Sequence, residues 1–166
     1  MPDVISKADQ RDEDTVELVE LLFFAYRDFT SDPDAILAEF GFGRAHHRVL
    51  HFIGRSPGMT VAQLLDILGI TKQSLGRVLR ELVEKGYVYQ RPGDQDRRQR
   101  LLFLTKEGNA LRLRLMSPQI ARIKRAIAEA GREAEPKYRN VLYHLISPEN
   151  RATVLEWLDS RTGGDE

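Results

Sequence analysis

Between Thr60 and Gly108 the apolar positions change their period twice, and each change falls on a start or stop signal. Val61, Leu64, Leu65 and Leu68 recur at helical spacing behind Thr60, a capping residue, and ahead of Gly69, which can end the helix in a left-handed turn. Thr71 can cap a second helix from Lys72 to Lys85, stopped by Gly86, with Leu75, Val78, Leu79, Leu82 and Val83 as its buried stripe. The opposite face carries Lys72, Gln73, Gly76, Arg77 and Arg80. Two short helices joined by a tight glycine-containing turn form the arrangement that sets a second helix into a major groove. Thr71, Lys72, Gln73 and Ser74, at its start, are side chains able to reach base edges, while Arg77 and Arg80 would take phosphates.

The period then shortens. Tyr87-Val88-Tyr89-Gln90-Arg91 and Gln99-Arg100-Leu101-Leu102-Phe103-Leu104 are aromatic and aliphatic runs flanking Pro92-Gly93, so they predict a hairpin. The tip, Pro92 to Arg98, is too long for a tight turn and should project as a wing. Arg97 and Arg98 at that tip suit a narrow minor groove, with Asp94 or Asp96 bracing one of them through a bidentate pair.

The run Asp94-Gln95-Asp96-Arg97-Arg98, leading into Leu104-Thr105-Lys106-Glu107-Gly108, resembles the wing signature of the MarR family of bacterial transcription regulators. Leu79-Arg80-Glu81-Leu82-Val83-Glu84-Lys85-Gly86-Tyr87-Val88 is similar to that family's end of the recognition helix. The likeness covers Arg44 to Gly108, departing at Gln95, where the family often has Pro and the turn is stiffer. It implies a mainly α fold with a small β-hairpin wing, a winged helix-turn-helix with N- and C-terminal dimerisation helices. It also implies a homodimer on double-stranded DNA.

Outside this stretch the pattern is helical. Residues 1–12 are polar, acidic and aperiodic, and read as a flexible tail. From Glu13 a helix carries two apolar stripes, Val16, Val19, Phe23, Tyr26 and Leu18, Leu22, Ala25, Phe29, which suits either a core position or, preferably, a subunit interface. Ser31-Asp32-Pro33-Asp34 should break it and cap a short helix from Ala35 to Glu39. Arg44 to Ile53 reads as a scaffold helix, and Thr105 caps a long helix that Pro118 should kink or interrupt. Helices beginning at Pro136 and Pro148 follow, too small to fold alone. The organisation is a tail to residue 12, dimerisation helices over 13–43, a DNA-binding lobe over 44–108 and dimerisation helices over 109–166.

Composition narrows the chemistry. With 166 residues there is room for one core and no separate catalytic domain. There is no cysteine, hence no disulfide, thiolate metal site or cysteine-based redox switch. No apolar run is long enough to span a bilayer and no signal peptide is evident, so a soluble cytoplasmic protein with no membrane partner is expected. Net charge is zero, but residues 1–40 hold 3 basic and 11 acidic groups whereas residues 71–105 hold 8 basic and 4 acidic. Positive charge therefore sits on the second helix and the wing, with an acidic far side.

His47 and His51 share a helix face at i, i+4, but zinc needs three or four ligands and no further donor is evident, so no metal or other cofactor is expected. The resemblance places Arg44, His46, His47 and His51 at an effector crevice between dimer helices and DNA-binding lobe, which Tyr26, Phe23 and Phe42 could also line. The ligand-binding candidates are Tyr26, Arg44, His47 and His51, for a small anionic aromatic effector. An enzyme is disfavoured because no nucleophile with a base and no phosphate loop is present. A protein-protein interaction module without DNA binding is the other alternative, disfavoured by the cationic face of the second helix.

Overall fold

A computed structural model describes residues 7–160 of the chain. The elements are α1 (Lys7–Glu39), α2 (Arg44–Arg55), β1 (Met59–Thr60), α3 (Val61–Leu68), α4 (Lys72–Glu84), β2 (Val88–Pro92), β3 (Arg100–Leu104), α5 (Lys106–Ala130), α6 (Ala134–Leu145) and α7 (Pro148–Asp159). The fold is mainly α, with one small antiparallel sheet ordered β1-β3-β2.

The core fills the centre of the chain. Val49, Leu50 and Ile53 of α2, Leu64 of α3, Leu75, Val78 and Leu82 of α4, and Val88 and Leu102 of the sheet are fully buried, joined by Leu37 of α1 and Leu115 of α5. The expected stripe on α4 is buried except for Val83, which is exposed at the helix end.

The local signals explain the joints. Thr60 accepts from the Gln63 N–H while Gln63 Oε1 accepts from the Thr60 N–H, a complete capping box, and Gly69 closes α3 at φ +61. Thr105 Oγ1 accepts from the Gly108 N–H and donates to the Gly86 carbonyl, and its own N–H donates to the Tyr87 carbonyl. A side chain at Gly108 would collide with that Tyr87 carbonyl. The Thr-x-x-Gly spacing thus lets α5 press directly on the start of the wing.

The structure departs from expectation in four places. The helix begins at Lys7, not Glu13, so the expected tail is helical over residues 7–12, and only its residues 1–6 lie outside the described residues. The acidic groups early in α1 favour a helix start.

There is no break at Pro33, which sits buried inside α1. The helical acceptor it leaves without a donor, the Phe29 carbonyl, instead receives Nε2 of Gln119 from α5. Likewise α5 runs through Pro118 without interruption. The strand β1, two residues long and paired to Leu101 and Leu102, was too short to leave a periodic trace.

Three ion pairs tie α1 to its neighbours: Asp34 to Arg44 of α2, and Glu39 and Asp32 to Arg114 and Arg122 of α5. Much of the remaining apolar surface is open. Val16, Leu18, Val19, Leu22, Phe23 and Phe24 on α1 are exposed, Phe23 at 72%, and α6 and α7 bury no residue fully. A groove of ≈ 810 Å³ runs between α5, α6 and α7, floored by Ile123, Ile127, Leu142, Ile146, Leu155 and Leu158. Among the described residues no helix is long and apolar enough to cross a membrane.

Candidate nucleic-acid interface

Six of the nine residues expected at the interface lie on or beside α4. Thr71 is its N-cap: Oγ1 accepts from the Ser74 N–H at 3.2 Å and donates to Ser74 Oγ at 2.9 Å, so these two hydroxyls hold each other. Lys72, Gln73, Arg77 and Arg80 are exposed, and Gln73, Arg77 and Arg80 share one face with Gly76. Apart from the adjoining residues and the backbone of α4 itself, nothing lies within 4 Å of where a Gly76 Cβ would stand.

The back of α4 is fastened by a cluster that the sequence did not disclose. Nδ1 of His46 accepts from the Gly43 N–H at the start of α2, so the ring proton sits on Nε2, which donates to Glu81 Oε2 at 2.8 Å. The hydrogen bond from His46, opposed by burial and aided by the nearby Arg77 and Lys85 charges, holds the Glu81 carboxyl below its ordinary value. Phe42 stacks on His46 at 4.5 Å, and Lys85 caps the stack, 4.7 Å from the Phe42 ring, while donating to the Phe40 carbonyl.

His46 and Phe42 therefore belong to this strut and not to the crevice where they were expected.

At the wing, Arg97 and Arg98 are exposed at the tip. The tip is folded on itself: the Gly93 N–H donates to the Gln99 carbonyl, the Gln99 N–H to the Asp96 carbonyl, and a Cβ at Gly93 would come within 2.7 Å of that Asp96 oxygen. The expected bidentate brace is not formed. Asp96 Oδ1 instead accepts from the Arg98 N–H at 2.9 Å, a turn that fixes the backbone and leaves both guanidinium groups outward. On the hairpin's outer face Tyr89 stacks on Phe103 at 5.3 Å with Arg91 packed over both rings.

The four expected ligand residues do converge. Tyr26, Arg44, His47 and His51 line a cavity of ≈ 250 Å³ where α1, α2 and α5 meet, with Phe29, Phe52 and Met116 as apolar walls. Phe23 is not among its lining residues. Burial, with the nearby Arg48 charge, pushes His47 below its ordinary value, against a weaker opposing pull from Asp34. Arg48 and Asp34 also line the cavity and were missed, because alternate charges on a helix end carry no signal of inward position. Among the described residues no group of three or more His, Asp or Glu could hold a metal ion.

A capped helix pair whose second helix presents cations, backed by an α5 pressed on a rigid wing, defines a winged helix-turn-helix. The family model described as "MarR family" matches residues 40–99. The HTH-type transcriptional regulator PetP of Rhodobacter capsulatus is 47% identical over 140 residues, 84% of each chain.

A mutant MarR of E. coli, solved with operator DNA, superposes with a TM-score of 0.63 at 20% identity, over 81% of this chain and 96% of that one. Mycobacterium tuberculosis MarR family protein Rv2887, solved with p-aminosalicylic acid, gives 0.55 at 25% identity, over 78% and 98%. The chain belongs to the MarR family of DNA-binding transcription regulators.

Proposed function

We propose that this regulator works in the cytoplasm as a homodimer, without catalysis, placing one α4 per subunit in successive major grooves of a pseudo-palindromic operator and the wings in flanking minor grooves. Half-sites about one helical turn apart would match the two-fold axis. Lys72, Gln73 and the Thr71–Ser74 pair face base edges, Arg77 and Arg80 face phosphates, and Arg97 and Arg98 enter the minor groove. The observation that carries this reading is the exposed cationic row on α4 opposite the buried Leu75, Val78, Leu79 and Leu82.

Residues 13–43 and 109–166 supply the dimer in this reading, and 44–108 the DNA lobe. Its support is the exposed apolar length of α1 beside the open groove of α5, α6 and α7, two surfaces that a second copy could cover together. A small anionic aromatic effector occupies the cavity of Tyr26, Arg44, His47 and His51, and acts by selecting a spacing of the two α4 helices that does not match DNA.

Selection of bound fragments from genomic DNA, with mass measurement of the free protein, tests the scheme. A dimer that enriches inverted repeats is expected. A monomer with no preference for any duplex at moderate salt overturns it.

A further inference from the structure

We infer that Arg91 is a further DNA contact, a guanidinium held in place by Tyr89 and Phe103 that meets the phosphates on the outer side of the minor groove entered by the wing tip. This rests on the wing placement proposed above and widens its footprint. Strand alternation divides the hairpin into two faces. Val88 and Leu102 point into the core, while Tyr89 and Arg91 of β2 stand opposite Phe103 and Leu101 of β3 on the other side.

The two rings stack 16° from parallel, and the Arg91 guanidinium carbon lies 5.3 Å from the Tyr89 centroid and 5.4 Å from that of Phe103. No carboxylate competes for it: Arg91 is exposed and takes part in none of the ion pairs among the described residues. The rings therefore fix where the cation stands and leave its N–H donors free for a phosphate. A side chain ordered in advance loses less entropy when DNA arrives.

Position and charge select the partner. Arg91 comes immediately before Pro92, where the tip begins, so it stands just above the groove that Arg97 and Arg98 would enter. A minor groove is only about 6 Å wide, so a hairpin tip inside it has one phosphate strand against each face. Of the four strand residues on the outer face, Arg91 alone is charged. Between Val88 and Arg100 the bases Arg91, Arg97, Arg98 and Arg100 outnumber Asp94 and Asp96, and one oxygen of Asp96 is engaged by the Arg98 N–H. A phosphate carries no sequence, so this contact adds affinity and sets the depth of the wing without reading bases.

Full-length protein is mapped on an operator fragment recovered by the genomic selection above, using phosphate-ethylation interference and anisotropy titrations over a range of salt. Ethylation on the outer side of each flanking minor groove should interfere with wild-type binding. Arg91→Gln should remove that interference, leave the interference along the α4 groove, weaken affinity about fivefold or more and flatten the salt dependence. Tyr89→Leu, which keeps the charge and removes a ring, should cost about two- to threefold in wild type and nothing further in Arg91→Gln. Tyr89→Phe should bind as wild type does, because the ring and not the hydroxyl holds the guanidinium.

If Arg91→Gln keeps the wild-type affinity and interference pattern while the Arg97→Gln, Arg98→Gln double variant binds more weakly, the inference falls and the wing placement stands. An equal cost of Tyr89→Leu with and without Arg91 overturns the role given to the rings. If neither Arg91→Gln nor the double variant alters binding, the wing placement falls as well.

Discussion

Nε2 of Gln119 lies 3.2 Å from the carbonyl oxygen of Phe29, the acceptor that Pro33 leaves without its helical donor. One side chain from α5 thereby allows α1 to continue past a proline to Glu39, and so to carry Asp34 to the crevice. Gln119 is buried, at 7% exposure, so Gln119→Leu would strip the carbonyl of its donor with no replacement from the chain. A loss of about 1–3 kcal/mol is expected in urea unfolding. In a Pro33→Ala background the residue-33 N–H returns, and the same substitution should cost less by more than about 0.5 kcal/mol. Equal costs in both backgrounds would show that the bond does not compensate for the proline.

Gly76 stands in the middle of α4 on the face of Gln73, Arg77 and Arg80, where a side chain would meet nothing of its own chain. A helix-interior glycine is less stable than alanine by about 0.5–1 kcal/mol. Gly76→Ala should therefore raise the unfolding free energy by about that amount while weakening operator binding, because the methyl group stands where DNA would approach. Stabilisation with undiminished affinity in a gel-shift titration would separate Gly76 from the interface.

The two roles proposed for the outward residues of α4 should separate by salt. Arg77→Ala should weaken binding to all duplexes alike and flatten the dependence of log affinity on log salt by about one unit. Gln73→Ala should instead relax preference at one base position, costing about 1–3 kcal/mol on the best operator and little on a mismatched one. Identical salt slopes for wild type and Arg77→Ala would remove the phosphate role.

The bond from His46 to Glu81 makes α4 docking depend on pH through the carboxylate. The folded-state Glu81 value is depressed below 4.5, chiefly by that hydrogen bond, so its contribution is present above the unfolded value and is lost as pH falls through the folded one. Wild type should exceed Glu81→Gln in thermal stability near neutrality, and the gap should close in acid. A gap that is constant from neutral pH down to the acid side would mean that the charge of Glu81 plays no part.

The wing, both helices of the reading module and their caps were legible because each is written locally: Thr60 with Gln63 and Gly69, Thr71 with Gly86, Thr105 with Gly108. What was not legible depends on partners far along the chain. Pro33 reads as a breaker until Gln119, 86 residues later, supplies the missing donor. His46 reads as one of a histidine group until Glu81 is seen to face it, and His47 and His51 then fall on the crevice side with Tyr26. Arg44 was found and Arg48 was missed although they are one turn apart, since only the fold shows that Asp34 reaches the first and not the second.

His47 gives the crevice a proton linkage whose sign is fixed by burial. Desolvation first and Arg48 second depress its value below 6.5 in the free protein. The folded state therefore favours neutral His47, which contributes nothing above the unfolded value and weakens the fold as pH falls beneath it. A carboxylate entering the cavity reverses the local field and raises the value, so binding takes up a proton wherever pH lies between the free and bound values. Affinity for benzoate should strengthen as pH falls from the bound-state value toward the depressed free-state value and level off below it. Trp157 packs edge-to-face against Phe52 of the cavity wall, ring centroids 5.2 Å apart, and is the chain's one tryptophan, so its emission can follow the titration. His47→Gln should flatten the profile, and a slope that persists in that variant would assign the proton to another group.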